Sequence, residues 1–390
     1  VREYDVEGKF VDGTISDVVD KIIEHVLELN LDSPILLFTN TRGEAEFLAS
    51  ILKEKSSINI ELHHGSLSKE VREDTELTLR EGKRGIVVCT SSLELGLDIG
   101  SIELVIHYGS PRQVSKLIQR IGRSRHNRDA SAKGLIITNN SDDEFEARAI
   151  LDRIKEGSIE EQKIHDGSLD VLAHHLVGMT MQLGEISVNL ALEIINNTYP
   201  FRNLQLEDLL GVLDLLDSNY LIFFDRTKMT FWKKGRSFKY YFENLSTIPD
   251  ILKFKVFDSV GKKIIGTLDQ RFVGDFGDSG NIFVLKGSQW RILNVDEQSL
   301  SVNVEPFRGG GITVPYWEGE SIPVDYNTAK KVGAFRSKVK NGSLKLINKT
   351  IEELSFNEIP DEKNIVIESS RSQGSIVIHS CFGTKINSTL

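Results

Sequence analysis

The chain has 390 residues, 39% hydrophobic and 27% charged, and carries a formal net charge of −10. It is too long for one ordinary domain, so two or three are expected, and no apolar run approaches the about 18 residues of a membrane-spanning helix. The opening Val1-Arg2-Glu3-Tyr4-Asp5 has neither the layout of a secretory leader nor an initiator Met, which reads as a fragment or processed chain. Two well-separated cysteines, Cys89 and Cys381, fit a reducing cytoplasmic setting better than a disulfide scaffold.

Along the first 140 or so residues, helix and strand signals alternate. Val18, Val19, Ile22, Ile23, Val26 and Leu27 make a helical stripe over residues 16–29. Apolar strands are predicted at 34–38, 58–62, 85–89, 103–107 and 134–137, with helices at 44–53, 68–80 and 114–121 between them. Strands buried on both faces and alternating with helices imply a parallel sheet covered by helices. In such sheets chemistry is sought in the polar residues after the carboxyl ends of the strands.

From about residue 168 the pattern becomes three helices, 169–181, 188–196 and 206–216, then strands 220–224 and 229–232 around Asp225-Arg226-Thr227-Lys228. That order is a winged helix, a relative of the helix-turn-helix. Beyond about residue 238 short strands separated by Gly and Asp turns predict a mainly β module. It stops at Leu390 without a capping element, which reads as a truncation inside a domain. The fold class expected is therefore multidomain α/β plus α+β: a parallel-sheet lobe over 1–158, a winged helix over 159–237 and a mainly β domain over 238–390.

The acidic total hides two basic islands. Arg112, Lys116, Arg120, Arg123, Arg125, Arg128 and Lys133 face only Asp129 in their stretch, and Arg226, Lys228, Lys233, Lys234, Arg236 and Lys239 face no acid in theirs. A groove binds phosphate with its local charges, so both islands are candidate nucleic-acid surfaces.

Four segments after the early strands form an ordered set: Phe38-Thr39-Asn40-Thr41-Arg42-Gly43-Glu44, His63-His64-Gly65-Ser66-Leu67, Thr90-Ser91-Ser92-Leu93-Glu94-Leu95-Gly96-Leu97-Asp98 and Gln119-Arg120-Ile121-Gly122-Arg123-Ser124-Arg125-His126. Each is weak alone; their order and placement make the signal. The set resembles motifs IV to VI of superfamily 2 helicases, and the wording of the last two resembles the Lhr (large helicase-related) family. Leu169-Asp170-Val171-Leu172-Ala173, Ser246-Thr247-Ile248-Pro249-Asp250 and Tyr316-Trp317-Glu318-Gly319-Glu320 extend the resemblance over essentially the whole chain. His126 stands where most superfamily 2 proteins place a second arginine, a departure the Lhr family shares.

The resemblance implies that the parallel-sheet lobe over 1–158 is a RecA-like lobe. It also implies an ATP-dependent 3′-to-5′ helicase or translocase acting on DNA or RNA–DNA duplexes, with single-stranded nucleic acid held by Thr41, Arg42, Gly65, Ser66, Thr90 and Ser91. It further implies ribose contact by Asp98 beside Gly96, an arginine finger at Arg123, and Gln119 orienting the attacking water or the γ-phosphate, with His126 in the same cluster. Trp317 is a candidate for stacking on a base and Ile248 for a wedge.

No Gly-x-x-x-x-Gly-Lys-Ser/Thr loop occurs in the sequence. ATP and Mg²⁺ would therefore be bound mainly by a first RecA-like lobe of the intact protein, and this chain alone should not hydrolyse ATP. Asp296-Glu297-Gln298 imitates an acidic metal-binding motif but reads as a turn. His63-His64 sit on opposite strand faces, which disfavours a shared metal, and His174-His175 read as packing and surface residues. Two rival readings are a nucleic-acid-binding adaptor without ATPase and a Ski2-like repair or RNA helicase.

Overall fold

The structure is a computed structural model that describes all residues except 1–3, 12, 30, 32, 95–101, 125–131, 162–163, 248–251, 310–314, 316–321, 344–359, 371–374 and 390. Two compact units emerge, one of residues 1–160 with 252–390 and one of 161–251.

The first unit opens with β1 (Tyr4–Phe10), α1 (Ile15–Leu29), β2 (Ile35–Phe38), α2 (Arg42–Lys55), β3 (Ile60–His63), α3 (Lys69–Arg80) and β4 (Ile86–Cys89). β5 (Leu104–Tyr108), α4 (Val114–Ile121), β6 (Ala132–Thr138) and α5 (Ser141–Lys155) complete the lobe. The strands form one sheet in the order β1-β6-β5-β2-β4-β3, every described pairing parallel. β2 and β4 are buried at every residue, as strands covered on both faces must be.

The sequence pattern predicts neither β1 nor α5. β1 alternates Tyr4, Val6, Gly8 and Phe10 with charged residues and lies at a sheet edge, half-exposed, so it lacks the apolar run that marks the central strands. α5 starts at Asn140, whose side chain accepts from the Asp143 amide, with Asp142, Asp143 and Glu144 in its first turn where the helix dipole favours them.

The second unit holds α6 (Leu169–Leu183), β7 (Ile186–Ser187), α7 (Val188–Asn196), α8 (Leu206–Ser218), β8 (Ile222–Asp225), β9 (Thr230–Lys233) and α9 (Ser237–Glu243). Three helices, with the short β7 between the first two, are followed by the β8–β9 hairpin, and the strands pair in the order β7-β9-β8, as in a winged helix. Leu172, Leu176, Val177, Leu209, Leu213, Ile222 and Phe231 fill its core. α9 extends this unit beyond residue 237, with its Tyr240 and Tyr241 packed against the core.

Returning to the first unit, β10 (Lys253–Asp258), β11 (Lys263–Asp269), α10 (Gln270–Phe276), β12 (Ile282–Leu285), β13 (Ser288–Asp296) and β14 (Ser301–Pro306) form a five-stranded sheet ordered β11-β10-β14-β13-β12. Phe254, Val256, Ile265, Phe283, Ile292 and Val304 from this sheet belong to the same core cluster as Ile22, Leu37, Leu52 and Val88 of the lobe. The β module thus shares the lobe's hydrophobic core. Asp296 ends β13 in a turn, its carboxylate accepting from the amides of Gln298 and Ser299. α11 (Tyr326–Lys340) packs on α5 through Val332, Phe145 and Ala149, followed by the β15 (Val366–Ser370) and β16 (Ser375–His379) hairpin and α12 (Thr384–Asn387).

Candidate strand-binding and nucleotide-facing site

Three of the motif segments leave the carboxyl ends of three neighbouring strands, β2, β4 and β3. Thr41 caps α2: its hydroxyl accepts from the Glu44 amide at 3.1 Å, and the Glu44 carboxylate accepts from the Asn40 and Thr41 amides, a complete capping box. Arg42, the first helical residue, donates from Nη1 to Ser66 Oγ at 2.7 Å, joining the segment after β2 to that after β3. The Thr90 amide reaches the His63 carbonyl, and the Ser92 hydroxyl donates to the same oxygen at 2.9 Å. Thr41, Arg42, Ser66, Thr90 and Ser91 therefore gather at one end of the sheet. Gly65 is exposed among them, and a Cβ placed there meets nothing within 4 Å, so the fold itself does not demand glycine.

The segment after β3 is held from below by the β module. The Ser66 carbonyl accepts from the Thr267 amide at 2.7 Å, and the Ser68 amide donates to the Ile265 carbonyl. Beneath it lies a fully buried carboxylate, Glu46, which accepts from His64 Nε2 at 2.9 Å, from the Lys286 amide at 2.8 Å and from the Gly287 amide at 2.6 Å. The Ser66 amide donates to His64 Nδ1 at 3.3 Å, which turns Nε2 of the same ring toward Glu46. Glu46 thus ties α2, the His64–Ser66 segment and the β12–β13 turn together.

The fourth segment lies on α4, which follows β5 on the other side of β2. Its apolar stripe runs Val114, Leu117 and Ile121, and Arg120 falls on that stripe with no exposed surface. Its charge is met by Glu94: Arg120 Nε donates to Glu94 Oε1 at 2.8 Å, and Lys116 Nζ to Oε2 at 2.6 Å. Arg120 Nη1 also donates to Asn40 Oδ1 at 3.1 Å and to His107 Nε2, and the guanidinium lies over the Phe38 ring. His107 donates from Nδ1 to the Gly109 carbonyl; burial, reinforced by Arg120, holds its pKa well below the ordinary histidine value. Burial likewise lowers His63, although the adjacent Glu76 opposes the shift.

Arg123, in the turn that ends α4, donates from Nε (2.9 Å) and Nη2 to the backbone carbonyl of Glu94. One residue therefore anchors both arginines, Arg120 by its carboxylate and Arg123 by its carbonyl. Gln119 lies on the exposed face of α4. The helix start is itself fixed by Glu160, whose carboxylate accepts from the Val114 and Ser115 amides at 2.7 and 2.9 Å. Gly96, Asp98, Arg125, His126, Arg128, Ile248 and Trp317 lie outside the described residues.

Glu46, Glu94, Asn40, His107 and Glu160 carry no role in the sequence analysis. In sequence Arg120 counts as a cation of the first basic island, yet it is fully buried; its place on the apolar stripe of α4 is the signal that could have marked it as needing a buried acid. Many cations of the two basic islands already have acid partners. In the first, Arg112 pairs with Glu146 and Asp143, and Lys116 and Arg120 pair with Glu94. In the second, Arg226, Lys228, Lys234 and Lys239 pair with Asp214, Asp225, Asp217 and Glu243. Much of the positive charge is matched by acids distant in sequence or just outside each stretch.

Comparison with known proteins agrees with this geometry. Residues 17–127 match the helicase conserved C-terminal domain, and residues 152–309 match the winged helix domain of large helicase-related protein. An ATP-dependent helicase Lhr-Core protein 2 of Thermococcus barophilus is 30% identical over 97% of this chain and 47% of its own length. An ATP-dependent helicase Lhr-Core of Methanothermobacter thermautotrophicus is 37% identical over 77% of this chain and 36% of its own. Among solved structures, Mycobacterium smegmatis helicase Lhr bound to ssDNA and AMP-PNP aligns with a TM-score of 0.67 at 22% identity, covering 98% of this chain and 50% of that one. The fold and motifs define a superfamily 2 helicase C-terminal lobe joined to a winged helix. The chain belongs to the large helicase-related (Lhr) family and spans about half the length, or less, of these curated relatives. Among the described residues no helix is long and apolar enough to cross a membrane.

Proposed function

We propose that this chain is the C-terminal portion of an ATP-dependent 3′-to-5′ nucleic-acid helicase or translocase, working against a first RecA-like lobe of the same protein. Its substrates in this reading are single strands and DNA or RNA–DNA duplexes. Residues 1–158 act as the second RecA-like lobe, 159–237 as the winged helix and 238–390 as the family's β domain.

The observation that carries the reading is the convergence of Thr41, Arg42, Ser66, Thr90 and Ser91 at the carboxyl ends of three adjacent strands, with Arg42 bonded to Ser66. Hydroxyls, amides at a helix start and one guanidinium are the donors that grip successive phosphates without reading sequence. The bare surface at Gly65 lets a backbone approach closely.

The residues present also fit a nucleotide at the far side of β2. The half-buried Arg123 guanidinium is oriented by two bonds to the backbone carbonyl of Glu94, at the end of α4. When bound, ATP supplies the phosphoryl transfer that drives movement. Arg123 offsets charge developing on the γ-phosphate, Gln119 orients its edge or the water, and Asp98 beside Gly96 accepts from the ribose. His126 sits in the same motif, with Arg125 or Arg128 as a second cation, while Trp317 and Ile248 contact bases; Mg²⁺ is held mainly by the first lobe.

The grip is tested by fluorescence anisotropy of a labelled oligothymidine across a salt series. Wild type binds weakly with a steep salt dependence, and Arg42→Ala lowers affinity and flattens the slope by about one. Binding that ignores both salt and Arg42→Ala contradicts the reading.

A further inference from the structure

The outer face of the wing carries a surface that the strand-end motifs do not use. β8 and β9 pair with Phe223 directly opposite Trp232. Because successive strand residues alternate sides, burying Ile222 and Phe231 in the winged-helix core turns Phe223 and Trp232 the other way. Their rings stack with centroids 5.4 Å apart at 22°. Phe223 remains 45% exposed, and Tyr220, just before β8 at a positive φ of 60°, is 65% exposed. Lys234 Nζ stands 4.5 Å from the Phe223 centroid and 5.3 Å from that of Tyr220. It is fixed there by Asp217, whose Oδ1 accepts at 2.7 Å and whose carbonyl accepts at 3.3 Å. Three aromatic rings and a held ammonium thus form one continuous surface.

The charges around it are selective. Arg236 is exposed and has no ion-pair partner among the described residues. The nearby acids are already engaged: Asp214 with Arg226, and Asp225 with the Thr227 and Lys228 amides and the Lys228 ammonium. Closing a small sheet needs no rings on its solvent face, where threonine or lysine would serve. Exposed π faces interleaved with cations match the chemistry of unpaired bases joined by phosphates, because every base can stack and every linkage is anionic.

We propose that Tyr220, Phe223 and Trp232, with Lys234 and Arg236, form a base-stacking platform for single-stranded nucleic acid on the wing, separate from the strand-end grip. It rests on the reading that this chain handles nucleic-acid strands, but its recognition is of bases, where the strand-end donors take phosphates.

The test uses this chain with iodouracil-substituted single strands of DNA and of RNA, irradiated and mapped by mass spectrometry, beside affinity measurements on intact and abasic strands of equal length. Adducts are expected on Tyr220, Phe223 or Trp232. The Phe223→Thr/Trp232→Thr variant, with its fold checked by circular dichroism, should bind intact strands about tenfold more weakly while its affinity for abasic strands stays unchanged. Trp232→Phe should restore most of the loss. Adducts confined to other segments, equal losses on intact and abasic strands, or no strand binding by the wild type each overturn the platform. Arg42→Ala separates the two readings, since it should weaken intact and abasic strands alike. If Arg42→Ala is silent while the wing variant is not, the strand-end grip fails and the platform stands.

Discussion

The two basic islands look alike in sequence and are opposite in structure. In the lobe, Arg120 is drawn entirely inside, where Glu94, Asn40 and His107 satisfy it and Phe38 covers it. On the wing, Arg226 and Lys228 pair with Asp214 and Asp225 at the surface, both cations remaining exposed. The first arrangement anchors the Gln119–Arg123 segment at the cost of desolvating charge; the second leaves its charges at the surface. Charge density along a chain therefore says little about availability until burial and partners are known.

That contrast can be broken or sharpened by substitution. Arg120→Met leaves Glu94 buried with only Lys116 beside it, and the lobe should lose about 3–5 kcal/mol in denaturant unfolding. Adding Glu94→Leu should recover most of that loss, because apolar side chains can replace a buried pair at little cost. Failure of the double variant to recover would mean that Glu94 serves more than Arg120. Glu46→Ala should cost on the order of 3 kcal/mol by stranding the Lys286 and Gly287 amides, and should loosen the His64–Ser66 segment in hydrogen exchange.

Acid supplies a gentler probe of the same region. His63 and His107 have folded pKa values below the unfolded value of about 6.5. Their contribution to stability is complete above that value and is lost as pH falls below it, since the unfolded chain then binds protons that the folded chain refuses. Thermal unfolding monitored from neutral to mildly acidic pH should show the melting temperature falling, with His107→Asn reducing the slope. On the wing, Arg226→Ala should leave the melting temperature unchanged. Arg236→Ala should do the same while lowering the salt slope of strand binding by about one.

How much was legible from sequence follows the same physics. The central strands β2, β4 and β5 and helix α4, whose limits Val114–Ile121 match the periodicity, declare themselves because a single strong pattern dictates them. β1 and α5 do not, the one lying half-exposed at an edge, the other signalled chiefly by its Asn140 cap and acidic first turn. Thr41, Arg42, Ser66 and Thr90 could be singled out by motif order. Their joining by the Arg42–Ser66 bond, and their support by Glu46 and Thr267, depend on partners up to 241 residues away. Glu94 stood in plain view within its motif, yet its two-sided hold on Arg120 and Arg123 is a property of the folded lobe alone.

Single-turnover ATP hydrolysis by the intact protein carrying Arg123→Ala tests the central claim most directly. An arginine finger predicts a fall of about 10³–10⁵ in the hydrolysis rate, with single-strand affinity retained. An unchanged rate would contradict the assignment of Arg123, and with it the account of this lobe as half of an ATP-driven motor.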